Sequence, residues 1–209
     1  MTKTELDSYI STFVEQLGSG TWVPGQHVTE AALTEMLSIS RRDVRLLFQH
    51  LETLGVVEII KHKGCLVRRY SSKEIHDFFL IRESLEGLAA SLAAENFSRS
   101  TLDDCVQTLR AACTDQLEGD FRTSNKALHQ AIVRLSDNAP LQQTIHQLQI
   151  PLLRAQFRAS VNERYIADSS QEHQAIAQAI CAGNAAEAER AMRIHIQGAR
   201  LRIEGMALL

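Results

Sequence analysis

Between Thr29 and Arg69 the order of local signals admits few folds. Thr29 is a good N-cap for a helix through Ala32, Leu33, Met36 and Leu37. Ser38-Ile39 leaves room only for a tight connection before Ser40, a second N-cap, opens the segment from Arg41 to Leu54. Gly55 stops that helix, as a glycine just past a C-terminus does. Val56–Ile60 and Cys65–Arg69 then read as two strands joined by Lys61-His62-Lys63-Gly64. Upstream, residues 4–18 set Leu6, Ile10, Phe13, Val14 and Leu17 at helical spacing, and Val23-Pro24-Gly25-Gln26 reads as a turn. Helix, helix, tight turn, helix, hairpin is the order of a winged helix-turn-helix, predicted here over residues 1–70.

A net charge of −3 looks unsuited to binding nucleic acid, but its distribution is uneven. Residues 1–70 hold eight Lys/Arg and eight Asp/Glu, whereas 71–209 hold 14 and 17 and carry the whole deficit. Within 41–69 seven basic residues face three acids. Local charge, more than net charge, attracts phosphate. Arg41, Arg42 and Arg45 fall in the opening turns of the third helix, whose N-terminal end would read base edges in the major groove. Lys61, His62 and Lys63 fall at the wing tip, beside a glycine that permits close backbone approach. The alternative is a merely solvated basic helix end.

These residues resemble the DNA-binding domain of GntR-type regulators. The resemblance rests on Gly20-x-x-x-Pro24-Gly25, Glu30-x-x-Leu33, Ile39-Ser40-Arg41-x-x-Val44-Arg45, Leu51-x-x-x-Gly55-Val56-Val57 and Lys63-Gly64-x-x-Val67. It implies that Ser40, Arg41 and Arg45 contact bases or phosphates of double-stranded DNA and that Gly64 places the wing. Asp43 stands where family members usually have Pro or Thr, and Ala31 where some place a basic contact residue. A single helix-turn-helix covers few base pairs, so a homodimer on a pseudo-palindromic operator is expected.

From Ser72 onward no strand-like alternation appears. Helices are predicted at about 72–96, 98–117, 120–136, 139–159, 163–182 and 184–206, which makes 71–209 an all-α six-helix bundle and the whole chain mainly α. The first of these helices carries Ile75, Phe78, Leu85, Ala89 and Leu92 on one stripe, with Arg82 interrupting it. A guanidinium against a core must be paired, either with Glu86 one turn on or with an anionic ligand. Asn125 and His129 are adjacent on one helix face, and His173 and His195 lie on two further apolar stripes. One inward histidine is ordinarily a satisfied core residue; three beside an oxygen donor suit a metal of the Zn, Ni or Mn class.

This region resembles the FCD effector domain of FadR-type GntR regulators. Leu80-x-Arg82-x-x-Leu85-Glu86, Asn125-x-x-Leu128-His129, Asn138-x-x-Leu141, Glu172-His173-x-x-Ile176 and Ala191-Met192-x-x-His195-Ile196 carry the likeness. In that family an Asp and three histidines bind a divalent metal that helps hold a carboxylate effector. Carried over by position, the ligands are Asn125, His129, His173 and His195, and Arg82 contacts the anion. Asn125 replaces the family's acid, and six helices instead of seven suggest the shorter VanR-like branch.

The composition supports a folded chain: 44% hydrophobic, with three prolines. The N-terminal Met1-Thr2-Lys3-Thr4-Glu5-Leu6-Asp7 lacks the apolar core of a signal peptide, and no apolar run suits a bilayer, so a cytoplasmic protein without membrane contact is expected. Cys65, Cys105, Cys113 and Cys181 form no C-x-x-C pair and read as core thiols or bystanders. Three classes compete. The favoured one is a ligand-responsive transcriptional regulator of a metabolic operon, not an enzyme, whose effector is a small anionic metabolite. The others are a metal-dependent hydrolase, which lacks an H-E-x-x-H general base, and a metal-free helical interaction protein.

Overall fold

A computed structural model of the chain describes residues 2–116, 120–148 and 162–206. They form two compact units, one within 2–71 and one from 72–148 with 162–206.

In the first unit, α1 (Lys3–Ser19) begins in a Thr2/Glu5 capping box and buries Leu6, Phe13 and Leu17. Val23-Pro24-Gly25-Gln26 is a turn closed by Gln26 N–H on the Val23 carbonyl at 2.9 Å. Gly25 takes φ +86° there, the conformation that a type II turn asks of its third residue. The two-residue strand β1 (His27–Val28) follows. Next come α2 (Glu30–Leu37), capped by Thr29, and α3 (Arg41–Thr53), capped by Ser40. α3 buries Val44, Leu47, Phe48 and Leu51, spaced i, i+3, i+4 and i+7, and each such side chain contributes about 1.5–3 kcal/mol on leaving water. β2 (Val57–Ile60) and β3 (Gly64–Val67) form the hairpin. The antiparallel sheet runs β1-β3-β2.

The second strand was expected over Cys65–Arg69 but spans Gly64–Val67, and β1 was not foreseen. Two residues carry too little periodicity to announce a strand, and β1 exists because β3 offers it an edge. That pairing requires Gly64. Its φ is +100°, and a Cβ there would lie 2.2 Å from the Val28 carbonyl oxygen. The glycine therefore serves the sheet itself, letting β1 and β3 close up behind the wing turn.

The second unit contains α4 (Ser72–Asn96), a short 3₁₀ turn (Phe97–Arg99), α5 (Asp103–Cys113) and α6 (Phe121–Leu135). It continues with α7 (Ala139–Gln147), α8 (Glu163–Cys181) and α9 (Ala185–Met206). Side-chain oxygens of Asp120, Asn138 and Asn162 cap α6, α7 and α8. The helix expected at 98–117 is instead the 3₁₀ turn and a later α5. Ser100 Oγ accepts the Leu102 N–H at 3.1 Å and holds the intervening chain extended. Of the helix expected at 139–159, Ala139–Gln147 is helical; its last eleven residues lie outside the described ones.

α4 packs along α9 in the opposite direction, as Glu83 against Gln197 (2.9 Å) and His76 against Glu204 (3.2 Å) show. The core-facing side of α4 is Ile75, Phe79, Arg82, Glu86, Ala89, Ala90, Ala93 and Ala94. This corrects the expected stripe. Phe78, Leu85 and Leu92 are only half-buried, and with exposed Ile81 and Leu88 they form a second apolar stripe on the far side of the helix. A helix that is apolar on two faces blurs its own period, which is why sequence spacing mixed the faces.

Replacing Gly64 by alanine is expected to destabilise the N-terminal unit by at least about 2 kcal/mol, through the steric clash and the left-handed backbone. The chain's single tryptophan, Trp22, stacks on Phe13 in that unit, so its fluorescence during urea unfolding checks this directly. An unshifted midpoint would show that the sheet edge yields.

Candidate functional site

The basic surface is built at the start of α3. Ser40 Oγ accepts the Asp43 N–H at 3.2 Å and donates to Asp43 Oδ2 at 2.6 Å. That hydrogen bond, with the nearby Arg42 charge, holds the Asp43 carboxyl below the usual carboxylate range. The acid among the arginines is thus half of the cap that starts the helix. Arg41 and Arg42 point into solvent. Arg45 is exposed but engaged: Nε donates to Glu30 Oε1 at 2.7 Å and Nη2 to Oε2 at 3.2 Å. An exposed pair of this kind is weak, so a phosphate or guanine can displace the carboxylate. Lys61, His62 and Lys63 are exposed in the hairpin turn, where Lys63 N–H bonds the Ile60 carbonyl at 2.9 Å and His62 takes φ +64°.

Within the helical unit, α6, α8 and α9 bring His129, His173 and His195 together. Their candidate ligand nitrogens lie within 4.8 Å of one another, and all three residues are buried. Ring centroids are 4.6 Å apart for His173 and His195, 5.2 Å for His129 and His195, and 5.5 Å for His129 and His173. Two of the rings have a carboxylate on the outer nitrogen. His129 Nδ1 is 2.6 Å from Glu86 Oε2, and His195 Nδ1 is 2.8 Å from Glu172 Oε2. A carboxylate on Nδ1 fixes the proton there and leaves Nε2 as the free lone pair, the arrangement typical of metal-ligating histidines. His173 is stacked on Phe121 (centroids 6.3 Å apart), and its Nε2 lies 3.5 Å from Ser169 Oγ.

The charges round this cluster balance in pairs. Arg82 Nε donates to Glu86 Oε1 at 2.8 Å, so Glu86 joins the guanidinium to the imidazole, with Arg82 also 5.1 Å over the Phe79 ring. Burial alone would raise the Glu86 carboxyl, but Arg82 and His129 outweigh it and hold the group well below its ordinary range. Burial pushes the His129 imidazole down to about 4 against the pull of Glu86, so the ring is neutral near pH 7. Arg202 donates to both Glu172 oxygens, at 3.0 and 2.9 Å, and with His195 keeps that carboxyl low although burial opposes it. Three buried imidazoles, two of them on carboxylate supports, fit a divalent ion. Asn125 sits one turn before His129 on α6 and is half-buried. A cavity of about 180 Å³ opens beside His173, walled by Ala112, Asp115, Phe121, Ser124, Ile166 and Ser170.

Of the residues singled out by sequence, the three histidines converge, and Arg82 takes the Glu86 partner that had been one of its two options. Two carboxylates were missed in their main role. Glu86 was seen only as a partner for Arg82, and Glu172 only as the neighbour of His173. For Glu172 the sequence held only a partial signal: adjacent helical residues diverge by about 100°, so with His173 facing inward Glu172 lies on the flank of that face, and what it meets there depends on the neighbouring helix.

Residues 77–198 match the FCD domain family. Among curated proteins, the "Probable D-xylose utilization operon transcriptional repressor" of Paenarthrobacter nicotinovorans is 29% identical over 201 residues, 94% of this chain and 88% of that protein. Two solved structures share the fold at 19% identity. A GntR transcriptional regulator of Rhodococcus sp. RHA1 superposes with TM-score 0.77 over 97% of this chain and 99% of its own. Escherichia coli McbR/YncC gives 0.79 over 99% and 100%. No helix among the described residues is long and apolar enough to cross a membrane.

The buried pair dictates how the helical unit answers acid. His129 holds its proton less tightly when folded (about 4) than when unfolded (6.5), so between those values the unfolded state binds the extra proton and stability falls as pH drops. Glu86, depressed in the folded state, adds a further loss as pH falls below its unfolded value of 4.5. Urea unfolding of chelator-treated protein, followed by far-ultraviolet circular dichroism from pH 7.5 to 4.5, should show a steadily falling midpoint. His129→Gln should flatten the part of this range below pH 6.5; an unchanged slope would assign the acid sensitivity elsewhere.

Proposed function

Because the chain belongs to the FCD-domain family of GntR-type transcriptional regulators, we propose that it controls a metabolic operon, binding DNA as a homodimer and releasing or tightening its grip when a small anionic metabolite reaches a metal-loaded His129/His173/His195 site. The proteins it matches are transcriptional regulators, not enzymes. The observation that carries this reading is the convergence of three buried imidazoles, two of them oriented through Nδ1 by Glu86 and Glu172.

On the DNA side, the exposed Arg41 and Arg42, the displaceable Arg45 and Lys63 on the wing support contact with an operator, with Ser40 holding the start of α3 in place and Gly64 shaping the wing. Two half-sites call for two copies, and the outward stripe of Ile81, Leu85, Leu88 and Leu92 on α4 supplies an apolar face suited to a second copy. Arg41→Ala is expected to weaken operator binding by about 1–3 kcal/mol and to relax preference at its own base pair, while the fold stays intact. Gel shifts on matched and mismatched operators, with ultracentrifugation, check this. Equal losses on every sequence would demote Arg41 to a phosphate contact, and a monomer with an asymmetric footprint would remove the dimer.

On the effector side, the charges of Arg82 and Glu86, and of Arg202 and Glu172, cancel pairwise. Asn125 adds an oxygen without charge. A divalent ion held by His129, His173 and His195, with Asn125 as a weak fourth donor, would therefore leave the site strongly positive, and an anion from the adjoining cavity is its natural complement. The ion would supply a direct electrostatic hold on a carboxylate. Arg82 keeps Glu86 charged and in place, and in this reading its guanidinium is also the anion contact for the effector. One zinc, nickel or manganese ion per chain is expected by elemental analysis after loading. His173→Ala should abolish it, and Asn125→Asp should tighten it roughly tenfold in calorimetry by adding a charged oxygen donor. A wild type that cannot be loaded would reduce the cluster to a metal-free anion pocket.

A further inference from the structure

Cys113 and Cys181 are 68 residues apart in sequence, yet their sulfurs lie 3.4 Å from each other. Cys113 ends α5 and Cys181 ends α8. The approach is held by polar contacts as well as packing. Gln174 and Gln178, one turn apart on α8, both donate their side-chain Nε2 to the Cys113 carbonyl, at 2.9 and 3.3 Å. Both cysteines are half-buried, so a small solute can reach them. The other two thiols are different. Cys65 and Cys105 are sealed in the cores of their units, and burial pushes Cys65 up to about 12, where it stays an inert thiol.

We propose that Cys113 and Cys181 are a redox-modification site, which a peroxide oxidises to an intramolecular disulfide tying the end of α5 to the end of α8. The Cys113 sulfur, as thiolate, attacks one peroxide oxygen and the O–O bond breaks, giving a sulfenic acid on Cys113 and hydroxide. The Cys181 sulfur then attacks the Cys113 sulfur, the S–S bond forms, the S–O bond breaks, and the departing hydroxide leaves as water with the Cys181 proton. Two thiols and one hydrogen peroxide become one disulfide and two waters. Cys181 is suited to the second part. Burial and its hydrogen bond with Cys113 push its thiol up to about 12, so Cys181 waits, protonated, at contact distance. The sulfurs need to close by only about 1.4 Å to reach bonding distance, a shift within the reach of side-chain rotation. A dithiol of this kind stays reduced in a reducing compartment and closes when oxidant rises.

The site has a place from which to act. α5 contributes Ala112, and α8 contributes His173, to the walls of the cavity beside the histidine cluster, so the bond would clamp two of its sides. The chemistry itself does not depend on the metal reading: the thiols pair whether or not the histidines hold an ion.

Full-length protein is treated with hydrogen peroxide, denatured, labelled with N-ethylmaleimide and weighed. Reduced protein should take four labels; oxidised protein should take two, with a tryptic cross-link joining the peptides of Cys113 and Cys181, and dithiothreitol should restore four. The oxidised form should melt about 5 °C or more above the reduced form, because a long loop is closed in its unfolded state. Cys113→Ser and Cys181→Ser should each abolish the cross-link and the shift, the latter leaving a sulfenic acid on Cys113 that a dimedone probe captures. Oxygen adducts on the wild type without this cross-link, or a cross-link between two chains, would overturn the proposal.

Discussion

The helical unit is organised round a buried carboxylate. Glu86 joins Arg82 to His129 in a site from which water is almost wholly excluded, and removing any one member would strand a charge or an N–H without a partner. Breaking such a group costs about 3–5 kcal/mol, whereas replacing all of it with well-packed apolar side chains is often neutral or stabilising. Stability alone therefore gives no reason to keep it. Glu172 repeats the device on the other side, between Arg202 and His195. The two carboxylates set the tautomer and orientation of two of the three rings, and α4, α6, α8 and α9 are held in register by what these side chains require.

The sequence made the punctuation of the N-terminal unit plain because its signals are local. Thr29, Ser40 and Gly55 mark ends through their own hydrogen bonds or backbone angles, and the structure places helix limits within a residue or two of them. The histidine convergence was also foreseeable, since each lies on an apolar stripe of its own helix. What stayed hidden depends on contacts between distant segments. β1 is a strand only because Gly64 lets β3 come close. The direction in which Glu172 points matters only once α9 lies beside α8. The proximity of Cys113 and Cys181 follows from α5 packing on α8, which no spacing rule encodes. α4 misled for another reason: its apolar residues serve two surfaces.

Asp43 shows how a departure from a family pattern can be compensated within a single turn. An acid beside Arg41 and Arg42 ought to weaken attraction for phosphate, yet its carboxylate accepts the Ser40 hydroxyl and sits at the positive end of the α3 dipole. It stabilises the start of the helix that carries the arginines. The loss in long-range attraction is set against a better-defined helix end, a trade of encounter rate for orientation.

The Arg45–Glu30 pair extends the same trade to the search for a target. Arg45 must give up two hydrogen bonds to a carboxylate before its Nε/Nη2 edge can meet a new partner. A lone phosphate oxygen returns only part of what is lost, whereas the paired N7 and O6 acceptors of guanine can replace both bonds. A protein so arranged would dwell briefly on random sequence and linger at the right one, because its intramolecular partner competes best against poor matches. Glu30 would then act as a built-in decoy, shortening the time lost among the many wrong sites of a chromosome.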